Sequence, residues 1–215
     1  KGVVNAQFRL AQMYYEGLEV AQDYKEALKW YRLVAEQGDA EAQRSLGVMY
    51  ALGEGVAQDY KGVEKWFRLA AKQGDTQAQS NLGMMYYDGL GVPQDYKEAI
   101  RWYQLSADQE NAEAQCILGI MYHEGQGVPQ DYKKAVKWWR LSAEQGLPNA
   151  QYNLGLLYYD GKGVPQDYKK AFRLFRFAAD QGFAGAQNNL GVMYQKGEGV
   201  PQDPQEAFRL FRLVA

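Results

Sequence analysis

Among 215 residues there is one cysteine, Cys116, and one histidine, His123. A lone thiol excludes an intrachain disulfide framework, and one Cys with one His falls short of the ligand set of a zinc site. The two lie seven residues apart. At a helical rise of about 1.5 Å per residue their Cα atoms stand about 10 Å apart, too far for a nucleophile to share a hydrogen bond with its base. An excess of one charge is also missing. Lys and Arg number 24 against 26 Asp and Glu, for a net charge of −2, so the basic footprint of a nucleic-acid binder is absent and nucleic acid is set aside as a partner. Long hydrophobic runs are lacking too. The longest, such as 155–159, are far short of the roughly 20 residues that span a bilayer, so no membrane span is expected. The chain starts at Lys1 without an initiator Met or signal-peptide pattern and stops at Ala215, part-way through a repeat. Both ends read as the edges of a fragment, which leaves the compartment open.

What the chain has in quantity is repetition. Ala6, Ala42, Ala78, Ala114, Ala150 and Ala186, each followed by Gln, recur every 36 residues. A period in that range marks a stacked array of one supersecondary unit. The phrase divides the chain into repeats 5–40, 41–76, 77–112, 113–148, 149–184 and 185–215, read as a single domain over 1–215 with a truncated last repeat.

In the third repeat, Ala78, Leu82, Met85 and Tyr86 share one helical stripe, which predicts a first helix ending at Gly89. Gly89-Leu90-Gly91-Val92-Pro93 then turns the chain. Asp95 sits where an N-cap belongs, and Glu98 three residues on completes a capping-box spacing, repeated by Asp23 with Glu26 and Asp203 with Glu206. After the cap, Ala99, Trp102, Tyr103, Ser106 and Ala107 form the stripe of a second helix. Gly38 and then Asp39 end one repeat and cap the next. Gly47, Gly83, Gly119, Gly155 and Gly191 fall inside first helices at a cost of about 1 kcal/mol each against alanine. That recurrence predicts close approach of the second helix through its small Ala71, Ala107, Ala143 and Ala179. The recurring loop aspartates need no role beyond N-caps. The Gly-x-Gly loops are turns and not phosphate cradles, because no Lys-Ser/Thr follows and no strand precedes them.

The full phrase, carried in one copy by Ala78, Leu82, Gly83, Tyr86, Gly89, Gly91, Asp95, Ala99, Trp102, Tyr103 and Ala107, resembles the Sel-one-like repeat (SLR) family, relatives of the tetratricopeptide repeats. The resemblance covers essentially the whole chain. It implies an all-α fold, a solenoid of αα-hairpins in a right-handed tetratricopeptide-like superhelix whose first helices line a concave groove. It also implies a bacterial adaptor or scaffold for protein partners, in signalling, quality control or contact with host proteins, and favours a periplasmic or secreted location. The rival class is an enzyme, since cysteine-rich relatives are associated with β-lactam binding or hydrolysis. Those carry paired cysteines in each repeat, and this chain has only Cys116. Departures from the phrase are Ala11 and Glu19 in the first repeat, Gly62 and Val63 in the second, Glu110 for a glycine in the third, Leu174 and Leu210 for Trp in the last two, and Pro204 for Tyr. Glu110 marks a junction where local geometry is expected to differ.

Positions that vary at one phase carry what specificity can be read. One column, Arg9, Ser45, Asn81, Ile117, Asn153, Asn189, is rich in asparagine, which both donates and accepts and so suits an extended peptide backbone. A second, Tyr15, Ala51, Tyr87, His123, Tyr159, Gln195, offers rigid amphipathic contact area; its alternative use is packing across neighbouring first helices. A third, Gln12, Val48, Met84, Ile120, Leu156, Val192, is either an apolar docking strip or partly buried between first helices. The mostly acidic column Glu16, Leu52, Asp88, Glu124, Asp160, Lys196 reads as a solvated helix end. The second helices carry Lys and Arg, for example Lys133, Lys134, Lys137 and Arg140, read as a solvated outer face. The expected partner site is therefore Asn81, Met84, Tyr87, Ile120, His123, Asn153, Leu156, Tyr159 and Asn189, with no catalytic residue, cofactor or metal. Leu210, Phe211 and Val214 are expected to be left exposed at the end of the last helix, where end-to-end self-association is possible.

Overall fold

The computed structural model describes residues 2–215, and among them the only regular elements are twelve helices. Their starts follow the chemistry of the caps. Asp23, Asp59, Asp95, Asp131, Asp167 and Asp203 all have extended backbones and accept hydrogen bonds from N–H groups in the first turn of the helix that follows. Asp95 Oδ1, for example, accepts from Lys97 and Glu98 at 2.9 and 3.1 Å. The reciprocal half of the capping box does not form. The N–H of Asp23, Asp95 and Asp203 each donates to a carbonyl at 2.9 Å, that of Tyr14, Tyr86 and Tyr194. With the cap N–H already satisfied, Glu26, Glu98 and Glu206 turn to Lys29, Arg101 and Arg209 one turn on. Pro204 takes the first helical position, where no N–H is needed.

The helices are α1 (Gly2–Glu16), α2 (Tyr24–Glu36), α3 (Ala40–Leu52), α4 (Tyr60–Lys72), α5 (Thr76–Asp88), α6 (Tyr96–Ala107), α7 (Ala112–Glu124), α8 (Tyr132–Glu144), α9 (Pro148–Asp160), α10 (Tyr168–Asp180), α11 (Ala184–Lys196) and α12 (Pro204–Val214). Their contacts divide into two compact units, Lys1–Gln109 and Glu110–Ala215. Within each unit every helix packs on the next in chain order, giving three stacked αα-hairpins: α1 to α6 in the first unit and α7 to α12 in the second. This is the all-α hairpin-repeat architecture that the 36-residue period implies. None of the described helices is long and apolar enough to cross a membrane.

The core of each unit is a series of layers, not one centre. Ala42, Ala78, Ala114, Ala150 and Ala186 are fully buried, as are Leu46, Leu82 and Leu118 four residues on. The interior glycines of the first helices meet something other than small alanines. A Cβ on Gly83 would lie 3.0 Å from the Tyr103 ring, and on Gly155 or Gly191 it would lie 2.6 Å from Phe175 or Phe211. Gly47 and Gly119 face Phe67 and Trp139 in the same way. The close approach is real, but the partner is the large aromatic of the repeat's own second helix, whose ring fills the space a methyl would take.

Glu110 takes a left-handed backbone where its counterparts are glycine. Its φ of 65° is left-handed like that of Gly74 and Gly146, at 92° and 90°, and α6 ends one residue early. Glu19 is left-handed too, at 61°. Its counterparts Gly55, Gly91, Gly163 and Gly199 touch the backbone or Cβ at the start of the preceding repeat's second helix. At the far end, Leu210 is buried at 4 % exposure and Phe211 is half-buried against Gly191, so the expectation of exposed Leu210 and Phe211 is corrected. The apolar residues that α12 does expose are Phe208, Leu213 and Val214.

Candidate binding faces of the repeats

The first helices, α1, α3, α5, α7, α9 and α11, present the variable columns. In the asparagine column Asn81, Asn153 and Asn189 are half-buried. Asn81 accepts from Gln77 on its own helix at 3.2 Å. Asn153 and Asn189 make no side-chain hydrogen bond among the described residues, so their amides are free to pair with something else. In the apolar column Ile120 and Leu156 are half-buried and Met84 is 44 % exposed.

The tyrosine column packs within its own hairpin. Tyr87 meets Tyr96 edge-on with ring centroids 5.3 Å apart, Tyr159 meets Tyr168 at 5.1 Å, and His123 meets Tyr132 and Trp139, each at 5.4 Å. Each of these partners lies on the second helix of the same hairpin, not on a neighbouring first helix. Beneath each ring a loop glutamine locks the turn: Gln94 donates to the Tyr87 carbonyl at 2.8 Å, Gln130 to His123 at 2.6 Å and Gln166 to Tyr159 at 2.8 Å. Tyr159 also reaches the next repeat, where its hydroxyl donates to Glu198 at 2.6 Å. That hydrogen bond, more than burial, pushes the phenol up to about 12. Burial is the larger cause for Tyr15, also raised to about 12, and the nearby Glu54 carboxylate adds to it. Tyr159 therefore joins two repeats.

Four of the nine expected site residues converge. Ile120, His123, Asn153 and Leu156 line one cavity of about 390 Å³ between α7 and α9, within the roughly 300–1,000 Å³ typical of ligand pockets. Trp139 forms part of its wall, and Glu124, Asp160 and Lys162 surround it. Lys162 pairs with Asp160 at 2.9 Å. The remaining five, Asn81, Met84, Tyr87, Tyr159 and Asn189, do not line this cavity. Sequence reasoning missed Trp139 and Lys162. Trp139 stands at the repeat position of Tyr103 in the second-helix stripe, and Lys162 belongs to the loop, outside the variable columns of the first helices.

Nothing in the cavity is arranged for nucleophilic chemistry. Cys116 is buried at 4 % exposure, and burial pushes its thiol up to about 11. The adjoining backbone is occupied as well, since the Trp139 indole donates to the Cys116 carbonyl at 3.1 Å. Among the described residues no group of three or more His, Cys, Asp or Glu is placed to hold a metal ion.

The outer face of the second helices is less uniformly solvated than its charge suggests. Arg32, Arg68 and Arg140 each donate to the hydroxyl of the next repeat's tyrosine, Tyr50, Tyr86 and Tyr158, at 2.7, 2.5 and 3.2 Å. Arg140 therefore joins repeats besides lying on the charged outer face. Between these cations runs an exposed apolar position: Leu33, Leu69 and Leu105 in the first unit, and Leu141, Phe177 and Leu213 in the second. Its signal was present in the sequence as a 36-residue column of large apolar residues.

The class these features define is an all-α repeat solenoid with no enzymatic constellation among the described residues. The Sel1 repeat family model matches residues 4–39, 40–75, 76–111, 112–147, 148–183 and 184–215. The chain belongs to the Sel1 repeat family. It is similar to a protective antigen of uropathogenic Escherichia coli with an SLR fold, at 39 % identity and a TM-score of 0.97 over 99 % of this chain. The match covers 46 % of that protein, so the chain spans about half of its length. A Sel1 repeat protein of Oxalobacter formigenes is also 39 % identical, with a TM-score of 0.86 over 98 % of this chain and 86 % of that one. Another from Klebsiella pneumoniae is 25 % identical, with a TM-score of 0.54 over 87 % and 91 % of the two chains. No curated protein matches the chain. Sel1 repeats serve in general as protein-interaction scaffolds.

Proposed function

We propose that the chain is a non-enzymatic adaptor that binds a protein or extended peptide along the exposed side of its first helices, centred on the cavity between α7 and α9. The observation that carries this reading is the convergence of Ile120, His123, Asn153 and Leu156 in that one cavity. They come from three different variable columns, so the lining differs from repeat to repeat. An extended peptide brings backbone donors and acceptors that need partners, and the uncommitted amide of Asn153 supplies both. Ile120 and Leu156 supply apolar contact on either side. Asn189, on α11, continues the same column into the next repeat.

The test is a peptide-display selection against the intact chain, with the selected peptides then measured on Asn153→Ala/Asn189→Ala. Weaker binding at an unchanged melting temperature is expected, because neither amide bonds within the fold. Equal binding by the double variant would remove the peptide groove from this face.

A further inference from the structure

In the first four repeats one position of the second helix is tryptophan: Trp30, Trp66, Trp102 and Trp138. In the last two it is Leu174 and Leu210. The structure shows what the indole does. Trp66 is buried in one cluster with Val34, Ala35 and Leu46, residues of its own repeat and the one before. Under it the floor is sealed, with Ala35 at 2 % and Leu46 at 0 % exposure. The floor under Trp102 is the same, Ala71 at 2 % and Leu82 at 0 %. Where leucine replaces the indole the seal opens. Ala143 rises to 9 % and Leu154 to 4 % beside Leu174, and Ala179 and Leu190 rise to 8 % and 3 % beside Leu210.

Beside Leu174 lies a cleft of about 510 Å³ between α8 and α10, on the outer side of the second helices, with that apolar floor at its base. Phe177, 56 % exposed, stands at its wall. Arg140, Lys170 and Arg173 line it against one acid, Glu144. Arg140 is tied to the Tyr158 hydroxyl, and Lys170 pairs with Asp167 at 3.5 Å. Arg173 makes no ion pair among the described residues. The two related clefts lack this combination. Beside Trp66 the space is similar, about 490 Å³, but the indole covers its floor and two acids, Glu36 and Asp59, stand against Arg32, Lys61 and Lys65; beside Leu210 the space is only about 210 Å³ with Asp180 and Glu206 facing Arg176 and Arg209.

We propose that the cleft between α8 and α10 is a second docking site, which takes an aromatic side chain from an acidic segment of a protein partner. Two observations choose that occupant. Two earlier repeats seal the corresponding floor with an indole of the chain itself, so an aromatic ring from outside meets apolar surface already shaped for one. The surplus of cations then favours carboxylates beside that ring, and Arg173 is placed to receive the first of them. This site lies on the other helix of the hairpin from the peptide groove and stands or falls independently of it.

The probe is a fluorescein-labelled pentapeptide with a central Trp flanked by two Glu on each side, measured by fluorescence anisotropy on the intact chain. Binding is expected to weaken by about tenfold or more in Leu174→Trp, which covers the apolar floor as Trp66 and Trp102 do, and to weaken similarly when the peptide's Trp becomes Ala. Arg173→Glu, an exposed change that leaves the packing alone, is expected to weaken it too and to do so less at high salt. Absence of binding to the unaltered chain at millimolar peptide overturns the proposal. So does equal affinity in Leu174→Trp or in Arg173→Glu, with folding of each checked by circular dichroism.

Discussion

The side-chain amide of Gln43 donates to the backbone carbonyl of Ala35, 3.0 Å away in the preceding repeat. Its oxygen accepts from Gln73 at 2.8 Å, in the cap that ends its own repeat's second helix. Gln79 repeats the arrangement with Ala71 and Gln109, and Gln151 with Ala143 and Gln181. The glutamine of the recurring Ala-Gln phrase is therefore a buried polar link between three helices. Gln43→Met keeps the volume and removes both hydrogen bonds. The expected cost is about 1–3 kcal/mol, because the buried carbonyl of Ala35 loses its partner while the exposed Gln73 amide can turn to water. Urea melts of the variant check it, with Gln77→Met on the exposed side of α5 as a near-neutral control.

Gly155→Ala is expected to destabilise despite a gain of about 1 kcal/mol in helix propensity. The new methyl would sit 2.6 Å from the Phe175 ring, which is fully buried and has no room to move aside. Overpacking of this kind costs about 1–3 kcal/mol. Adding Phe175→Leu should recover part of the loss on the Gly155→Ala background while being destabilising by itself. Thermal melts of the single and double variants give the coupling, and additive losses would show that the ring is not what the glycine accommodates.

These two predictions mark how far the sequence could be read. The period, the helix pairs and the caps at Asp23 through Asp203 were legible because each depends on chemistry a few residues apart. The link made by Gln43 was not, because the carbonyl it reaches belongs to another helix and only the stacked structure says which one. Gly155 was read halfway. Its recurrence announced a close approach, but spacing along a helix does not tell whether the small Ala179 or the large Phe175 turns toward it. At the binding faces, the variable columns led to Ile120, His123, Asn153 and Leu156. Tyr87 and Tyr159 are committed to ring packing that no single-column reading reveals. The opening beside Leu174 was visible only as a departure from pattern, since its depth depends on residues two helices away.

Glu110→Gly should stabilise the chain. Glu110 holds a left-handed φ of 65°, which costs a residue with a Cβ about 1 kcal/mol. The other repeat junctions use Gly38, Gly74, Gly146 and Gly182 in that conformation. A rise of about 2–4 °C in melting temperature is expected for a chain of this size, while the reverse change, Gly146→Glu, should lower it by a similar amount. Calorimetry on the two variants checks both signs.

Alkaline pH should loosen the repeats before it affects the caps. Tyr15, Tyr31 and Tyr159 are raised from the ordinary 10.0 to about 12. Burial dominates for the first two, and the hydrogen bond to Glu198 dominates for the third. A phenol whose pKa is higher in the folded state holds its proton more tightly there. Its stabilisation is complete below pH 10 and is lost as pH rises from 10 through 12. Cys116, raised from 9.0 to about 11 by burial, adds loss in the same direction from about pH 9 to 11. Denaturant midpoints should therefore be flat from pH 7 to about 9 and fall steadily above that. Tyr159→Phe, which deletes one of the ionising groups, should flatten part of the decline above pH 10 even though it loses a hydrogen bond at neutral pH. A decline of the same slope in Tyr159→Phe would mean that the bond to Glu198 does not carry alkaline sensitivity, and the link between the last two repeats would have to rest on packing alone.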